Sequence, residues 1–261
     1  MGPRPLQQAS LSKVRAVFTD VDGTLTSGGQ LRSQTLRAIE WLGSHGVQVV
    51  LVSGRPSGWG EAWARQLPVA GVVVENGGLY FVRRKGELHK VYAEAPTARL
   101  RNRRKLERLV EGALRAVKGA RLSMDSSATE VDLAIDYAED ARLGKKGADA
   151  LERYLHARGV TAVRSSVHVN CWLGAFDKRT MVEKFLRTEW GTEVRPGEGR
   201  FVYVGDSFND APMFAAFPLS IGVANVLDVL PQLDHPPAFV TRAREGKGFV
   251  EVADAIAKAL R

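Results

Sequence analysis

One cysteine, Cys171, stands in a chain of 261 residues. No intramolecular disulfide can form, and no cage of thiolates can hold zinc. No apolar run approaches membrane-spanning length. Residues Met1 to Lys13 are polar and proline-bearing and lack the apolar stretch of a secretory signal. A cytoplasmic setting is therefore expected. There is no internal repeat and no low-complexity tract. His45, His89, His156 and His235 have no metal-ligand spacing. What remains is the balance of an ordinary globular protein, 44% hydrophobic and 25% charged. The net charge of +8 favours anionic partners such as phosphate esters, nucleic acid or acidic surfaces, but names none of them. An arginine-rich solvated surface is the plainer account of it.

The apolar pattern divides the chain into two kinds of segment. Val14–Thr19, Val47–Val52 and Val72–Val74 are short, β-branched and apolar, and read as buried strands. Helical spacing falls between them, at Leu31–Ser44 and Glu61–Leu67. The pattern resumes late: helix at Met181–Trp190, strand at Phe201–Val204, helix at Ala211–Ala216, strands at Ser220–Val223 and Phe239–Thr241, and a closing helix at Phe249–Leu260. Alternating strand and helix predicts a parallel sheet with covering helices. The middle differs. Leu79–Val82 and Leu88–Tyr92 read as a hairpin about Lys85-Gly86-Glu87. Ala98–Val117 is an amphipathic helix with Leu106, Leu109, Ala113 and Val117 on one stripe. Glu130–Tyr137 alternates, Lys145–Arg158 is helical, and Val160–Trp172 reads as one long strand. The expected fold class is α/β: a Rossmann-like parallel sheet core, residues 1–82 and 174–261, with an inserted α+β unit over 83–173.

Chemistry-bearing residues gather at the ends of the core strands. Asp20-Val21-Asp22-Gly23-Thr24 follows the first strand, at the edge where open α/β sheets bind ligands. Carboxylates at i and i+2 point the same way while strand geometry lasts, so one can attack while the other handles a proton. Ser53-Gly54-Arg55 follows the second strand, where a hydroxyl and free N–H groups could hold phosphate oxygens. Lys178 follows the inserted unit and could neutralise transition-state charge. Gly205-Asp206-Ser207-Phe208-Asn209-Asp210 follows Phe201–Val204, an oxygen-rich cluster of the kind that suits magnesium. Each of these is weak alone; a loop turn or a helix cap would explain any one. Their joint occurrence in order at one predicted edge is what points to an enzyme.

Together these motifs resemble the four motifs of the haloacid dehalogenase superfamily, and the resemblance covers almost the whole chain. The inserted unit, between the second and third motifs, is similar to the larger α/β cap of the Cof-like branch. That branch includes sucrose-phosphate phosphatase and mannosyl-3-phosphoglycerate phosphatase. Glu75-Asn76-Gly77-Gly78 looks like that branch as well. The resemblance implies a magnesium-dependent phosphatase acting on a sugar phosphate or a similar small organic phosphate. Asp20 would be nucleophile and metal ligand. Asp22 would be general acid/base, its main-chain carbonyl a second ligand. Ser53 and Lys178, with Gly54 and Arg55, would bind the phosphoryl group, and Asp206 would be the third ligand. Asn209 and Asp210 would orient phosphate, lysine or metal-bound water, which places Asp210 in the metal's surroundings. Arg179 follows the lysine where many relatives have glycine.

Two other features carry weight. On Val160–Trp172 the even positions Arg164, Ser166, His168, Asn170 and Trp172 form a polar and aromatic face, opposite Val167, Val169 and Cys171. His168 and Asn170 are thereby candidates for the organic part of the substrate, with Asp132 and Asp136 on a neighbouring strand; a plain solvent-facing strand is the alternative. Arg99, Arg101, Arg103, Arg104, Lys105 and Arg108 read as the wet face of a helix, with no nucleic-acid motif beside them. Trp59 and Trp63 read as packing. The expected partner is a small-molecule phosphate ester, with neither nucleic acid nor membrane, and the protein as monomer or dimer. The competing readings are a phosphomutase and a non-catalytic phosphate-ester-binding regulator.

Overall fold

The computed structural model describes residues 2–165 and 167–261, so the expectation for Ser166 lies outside the described residues. The strands are β1 (Ala16–Thr19), β2 (Gln48–Val52), β3 (Gly71–Val74), β4 (Leu79–Arg84), β5 (Glu87–Tyr92), β6 (Leu133–Asp136), β7 (Thr161–Arg164), β8 (His168–Trp172), β9 (Phe201–Gly205), β10 (Leu219–Gly222) and β11 (Phe239–Val240). The helices are α1 (Ser33–Ser44), α2 (Ser57–Gln66), α3 (Pro96–Ala116), α4 (Gly144–His156), α5 (Lys178–Trp190), α6 (Ala211–Ala216) and α7 (Glu245–Ala259). Two-residue strands occur at Arg4–Pro5, Thr26–Ser27, Gln30–Leu31 and Arg121–Leu122.

The large sheet runs in the order Arg4–Pro5, β11, β10, β9, β1, β2, β3, β4, β5. It is parallel from Arg4–Pro5 to β3, and the last two pairings are antiparallel. Its central strands β1, β2, β3 and β9 are apolar on both faces because helices cover both. Val17, Val49, Leu51 and Val72 pack with Ile39 and Leu42 of α1 and Phe249 and Ile256 of α7. Phe18, Val50 and Val73 face the other way, onto Met181 and Phe185 of α5 and Phe214 of α6. Each such side chain, fully buried, contributes about 1.5–3 kcal/mol. The predicted hairpin of β4 and β5 forms, and it extends this large sheet.

A second, antiparallel sheet has the order β7, β8, β6, Arg121–Leu122. Leu133, Ile135, Val169 and Cys171 on one face pack against Leu106, Val110 and Ala113 of α3 and Leu151 and Leu155 of α4. The buried stripe of α3 thus passes through Val110, with Leu109 and Val117 only partly covered. The expected long strand Val160–Trp172 is instead a hairpin of two strands. Thr161 pairs with Trp172 and Arg164 with Val169. Ser165 makes the turn, its N–H donating to the His168 carbonyl at 2.8 Å and its Oγ accepting from the His168 N–H at 3.1 Å. Alternation continues on both arms, but the turn reverses its sense. Arg164 therefore shares a side with Val169, not with His168 and Asn170. The polar face survives on β8 alone. Asp136 and Ala134 join it, paired with His168 and Asn170.

Helix α2 begins at Ser57, four residues before the expected start at Glu61. Its glycine-rich first turn is held by packing: a Cβ on Gly60 would stand 2.8 Å from Val74 and 3.0 Å from Phe81. Among the described residues no helix is long and apolar enough to cross a membrane.

Candidate active site

Strands β9, β1 and β2 are adjacent, with β1 in the middle. Their ends therefore bring the loops at Asp206, Asp20 and Ser53 side by side, within a strand spacing of about 4.8 Å. Strand order reverses about β1, the place where open α/β sheets form a crevice. Gly23 turns the chain after Asp22 with φ of 79°. A Cβ there would lie 2.5 Å from Asp206 Oδ2, so only glycine lets this loop approach Asp206.

Lys178 is the first residue of α5. Asp177 caps that helix, accepting from the Thr180 N–H at 2.7 Å while its own N–H donates to Thr180 Oγ1 at 3.0 Å. The cap aims the lysine into the sheet edge, where it is 2% exposed. Its Nζ donates to Asp20 Oδ1 at 2.8 Å and to Asp210 Oδ1 at 2.7 Å. Burial pulls the ammonium down, yet Asp20 and Asp210 outweigh it and hold the lysine firmly charged. Asp210 is fully enclosed. It also accepts from Tyr203 Oη at 2.5 Å and from the N–H groups of Asp206 and Ser207 at 2.9 and 3.1 Å. Both of its oxygens are thus engaged in holding the lysine and its own loop.

Asp20, Asp206 and Asp210 each offer an oxygen within 4.8 Å of the other two. Burial pushes Asp20 well above the usual carboxylate range; Lys178 pulls it down and the charges of Asp210 and Asp206 push it back up. Asp206 is pushed up to about 8 by burial and by Asp210. Its own donors are neutral, Thr24 Oγ1 at 3.3 Å and Asn225 Nδ2 at 2.6 Å. Three buried carboxyls face one ammonium, and a hard cation with oxygen ligands would relieve that excess of negative charge. The donor set fits such an ion.

Asp22 is at this edge, but its carboxylate is not one of the three grouped oxygens. Arg55 takes both of its oxygens, through Nε at 2.9 Å and Nη2 at 3.0 Å. The same Nη2 donates to Glu139 at 3.2 Å, and Nη1 lies 3.5 Å from Asp125. Glu139 in turn meets His168 Nε2 at 2.7 Å. Arg55 was expected to hold phosphate; here it ties Asp22 to the small-sheet unit. Ser53 is buried, and its Oγ accepts from the Arg55 N–H at 3.0 Å. Asn209 Oδ1 accepts from Ser207 Oγ at 2.7 Å. A cavity of about 30 Å³ is lined by Asp20, Asp22, Ser53, Gly54, Arg55, His168, Asn170 and Asn209 among others. The structure thus gathers these expected residues around one small cavity. It has room for water, about 10–15 Å³ being enough for one. Beside it lies a cavity of about 530 Å³, lined by Asn76, Trp172, Phe176, Lys178, Phe208 and Asn209, with others.

Several participants escaped the sequence reading. Tyr203, Asn225 and Glu139 carry no motif. Glu75, only noted for its resemblance, is completely buried and accepts from the N–H groups of Ser57, Glu130, Val131 and Asp132 at 2.7–3.1 Å. It joins the large sheet to the approach of β6. The arginine run of α3 is not all wet: Arg103 donates to Thr129 and to the Asp132 carbonyl, and Arg99 stacks over Tyr92. Trp59, 45% exposed, packs on Trp63 and donates Nε1 to Asp125 at 3.0 Å.

A strand ending in Asp20, flanked by a hydroxyl loop and an acidic loop, with Lys178 between two carboxylates, is an arrangement that suits the handling of a phosphoryl group. The family model for haloacid dehalogenase-like hydrolases matches residues 17–97. The fold, the site and this match are those of a phosphoric monoester hydrolase, and the chain resembles the haloacid dehalogenase-like hydrolases and their Cof-like branch. A phosphoglycolate phosphatase of Archaeoglobus fulgidus is 26% identical over 242 residues, spanning 92% of this chain and 95% of that protein. A solved Thermoplasma acidophilum structure superposes with a TM-score of 0.72 at 21% identity, covering 94% of this chain and 98% of that one. The sucrose-phosphatase of Synechocystis sp. PCC6803, solved with sucrose and phosphate, superposes with a TM-score of 0.67 at 14% identity, covering 94% and 98%. The two structural likenesses establish the fold.

Proposed function

We propose that this protein is a magnesium-dependent phosphatase that hydrolyses a small phosphorylated metabolite through an aspartyl phosphate, an acyl phosphate on Asp20. The observation that carries the reading is Lys178, buried and bonded at once to Asp20 and Asp210. It fixes one oxygen of Asp20 and leaves the other to attack phosphorus. It also places a positive charge where phosphoryl oxygens gather. Magnesium would be held by the carboxylates of Asp20 and Asp206 and the main-chain carbonyl of Asp22, and when bound it screens the repulsion between carboxylate and phosphate. Asp210 serves as the lysine's anchor, its oxygens being already engaged.

In the first step an Asp20 oxygen forms a bond to phosphorus as the bond to the leaving oxygen breaks. Asp22, released from Arg55, gives that oxygen a proton. In the second step water attacks phosphorus, Asp22 takes the water's proton, and phosphate leaves with Asp20 restored. Ser53, the N–H groups about Gly54, and Asn209 hold the phosphoryl oxygens meanwhile. The small-sheet unit acts as a cap over residues 83–173. Since β5 pairs into the large sheet, the part that closes begins near Pro96. His168 and Asn170 meet the organic part of the substrate.

The substrate is a sugar phosphate or a similarly small organic phosphate. The relative named for phosphoglycolate supports a small ester, and the neighbour solved with sucrose supports a sugar. The buried, unpaired Cys171 and the magnesium requirement suit the cytoplasm. The test is a panel of phosphate esters, including hexose phosphates, incubated with magnesium. Release of inorganic phosphate supports the reading. Isomerised sugar phosphate with no free phosphate would make the protein a phosphomutase, and binding without turnover would make it a regulator.

A further inference from the structure

Beyond the phosphoryl-handling residues, one buried side chain stands at the boundary of the two cavities with an unmet hydrogen-bonding need. Glu75 and Asn76 follow β3 in consecutive left-handed conformations, with φ of 49° and 53°. Such backbone in non-glycine residues costs about 1–3 kcal/mol each and persists where surroundings impose it. Here the Glu75 N–H donates to the Arg55 carbonyl at 3.0 Å and the Asn76 N–H to the Ser53 carbonyl at 3.2 Å. The Ser53-Gly54-Arg55 loop therefore dictates where the Asn76 side chain goes.

That side chain is 2% exposed and lies directly over Gly54. A Cβ on Gly54 would meet Asn76 Oδ1 at 3.0 Å and Asn170 Nδ2 at 3.1 Å. Asn76 Nδ2 donates to Asp132 Oδ2 at 3.0 Å, which fixes the amide orientation. The remaining oxygens, Asn76 Oδ1 and Asp132 Oδ1, are buried and have no hydrogen-bond partner among the described residues. A buried polar atom without a partner costs about 1–3 kcal/mol, so two together in one place point to a missing ligand. An amide oxygen cannot bind phosphate oxygens, which are acceptors too. It needs a donor. Asn76 lines the larger cavity, Asn170 lines the smaller one, and both stand over Gly54.

We propose that Asn76, held by Asp132 and facing Asn170 across Gly54, determines specificity by accepting a hydrogen bond from a hydroxyl of the leaving group. This rests on the phosphatase reading and narrows it to esters of polyhydroxy alcohols. The leaving group extends from the smaller cavity, past His168 and Asn170, toward the larger one, where its hydroxyl meets Asn76. Burial and the charge of Glu75 push the Asp132 carboxyl well above its usual range. Asp132 supports Asn76 through the hydrogen bond from Nδ2.

The test compares glycerol 3-phosphate, ribose 5-phosphate and glucose 6-phosphate with propyl phosphate and p-nitrophenyl phosphate, which bring no hydroxyl to Asn76. At least one hydroxylated ester should exceed propyl phosphate in kcat/KM by about tenfold or more in the unmodified protein. Asn76→Gly keeps the left-handed backbone and removes only the amide. It should erase that preference and leave the two hydroxyl-free esters within about threefold of their original rates. The paired change Asn76→Asp with Asp132→Asn exchanges donor and acceptor between the two residues and keeps an acceptor at position 76. It should restore the preference. Equal losses on all esters, or no loss on any, would overturn the proposal and leave Asn76 a structural residue satisfied by water. So would an unmodified protein that cleaves the hydroxyl-free esters as fast as every hydroxylated one. If no ester of either kind is cleaved, the phosphatase reading itself fails and this inference with it.

Discussion

Replacing Lys178 by methionine removes the one cation from a group of three buried carboxyls. The side chain is 2% exposed and methionine fills a similar apolar volume, so the change is electrostatic. Removing one partner of a buried ion pair costs about 3–5 kcal/mol, because the other charge stays behind. Here two partners stay behind, Asp20 and Asp210, at 2.8 and 2.7 Å. A loss of about 3–5 kcal/mol, or about 6–20 °C in Tm for a chain of this size, is expected in metal-free buffer near neutral pH. The loss should depend on pH with a definite sign. Without the lysine, the buried Asp20 carboxyl, which Lys178 pulls down, holds its proton to higher pH than in the unfolded chain. The folded state then binds more protons, and stability falls as pH rises, by about 1.4 kcal/mol per pH unit for each such proton. Urea unfolding of both proteins at about pH 5 and about pH 8 measures this. The difference between them should shrink at the lower pH. Adding Asp210→Asn should recover about 1–3 kcal/mol. A loss below about 1 kcal/mol, or one equal at both pH values, would refute the assignment of Lys178 as the cluster's counter-charge.

Magnesium should raise Tm and support turnover, and Asp206→Ala should abolish both effects while leaving the metal-free protein folded; thermal melts with magnesium and with chelator check it. Asp132→Asn should flatten the pH dependence of stability above about pH 4, because a carboxyl raised by burial destabilises the fold progressively as pH climbs past its unfolded value. Urea titrations of Asp132→Asn across that range would show it. Gly71→Ala should cost about 1–3 kcal/mol, since its Cβ would meet the Phe185 ring at 2.5 Å; urea unfolding gives the figure. His168→Ala should reduce kcat/KM for the best metabolite ester far more than for p-nitrophenyl phosphate, which rate comparisons on the two will reveal.

What was legible in the chain followed from local signals. The β-branched runs before Asp20, Ser53 and Gly205 mark buried parallel strands, and the loop after each is necessarily at the same sheet edge. The hairpin of β7 and β8 was hidden because alternation persists through Ser165 on both arms, and periodicity alone does not register a reversal of direction. Lys178 was legible as a residue but not as the start of α5, since its placement depends on the Asp177–Thr180 cap. The Arg55–Asp22 fork, the Glu139 bridge and the Glu75 hub join segments far apart in sequence. No local pattern specifies such pairs; they follow from how the small-sheet unit closes on the large one.

The central claim is that Asp20 carries the phosphoryl group. With enzyme in excess over a cleavable ester and magnesium present, acid quenching within the first turnover should trap phosphate on a single residue, and peptide mapping by mass spectrometry should place it on Asp20. Asp20→Asn should show neither the phosphopeptide nor turnover while melting as a folded protein. An active enzyme with phosphate on another residue, or an Asp20→Asn variant that still turns over, would contradict the account.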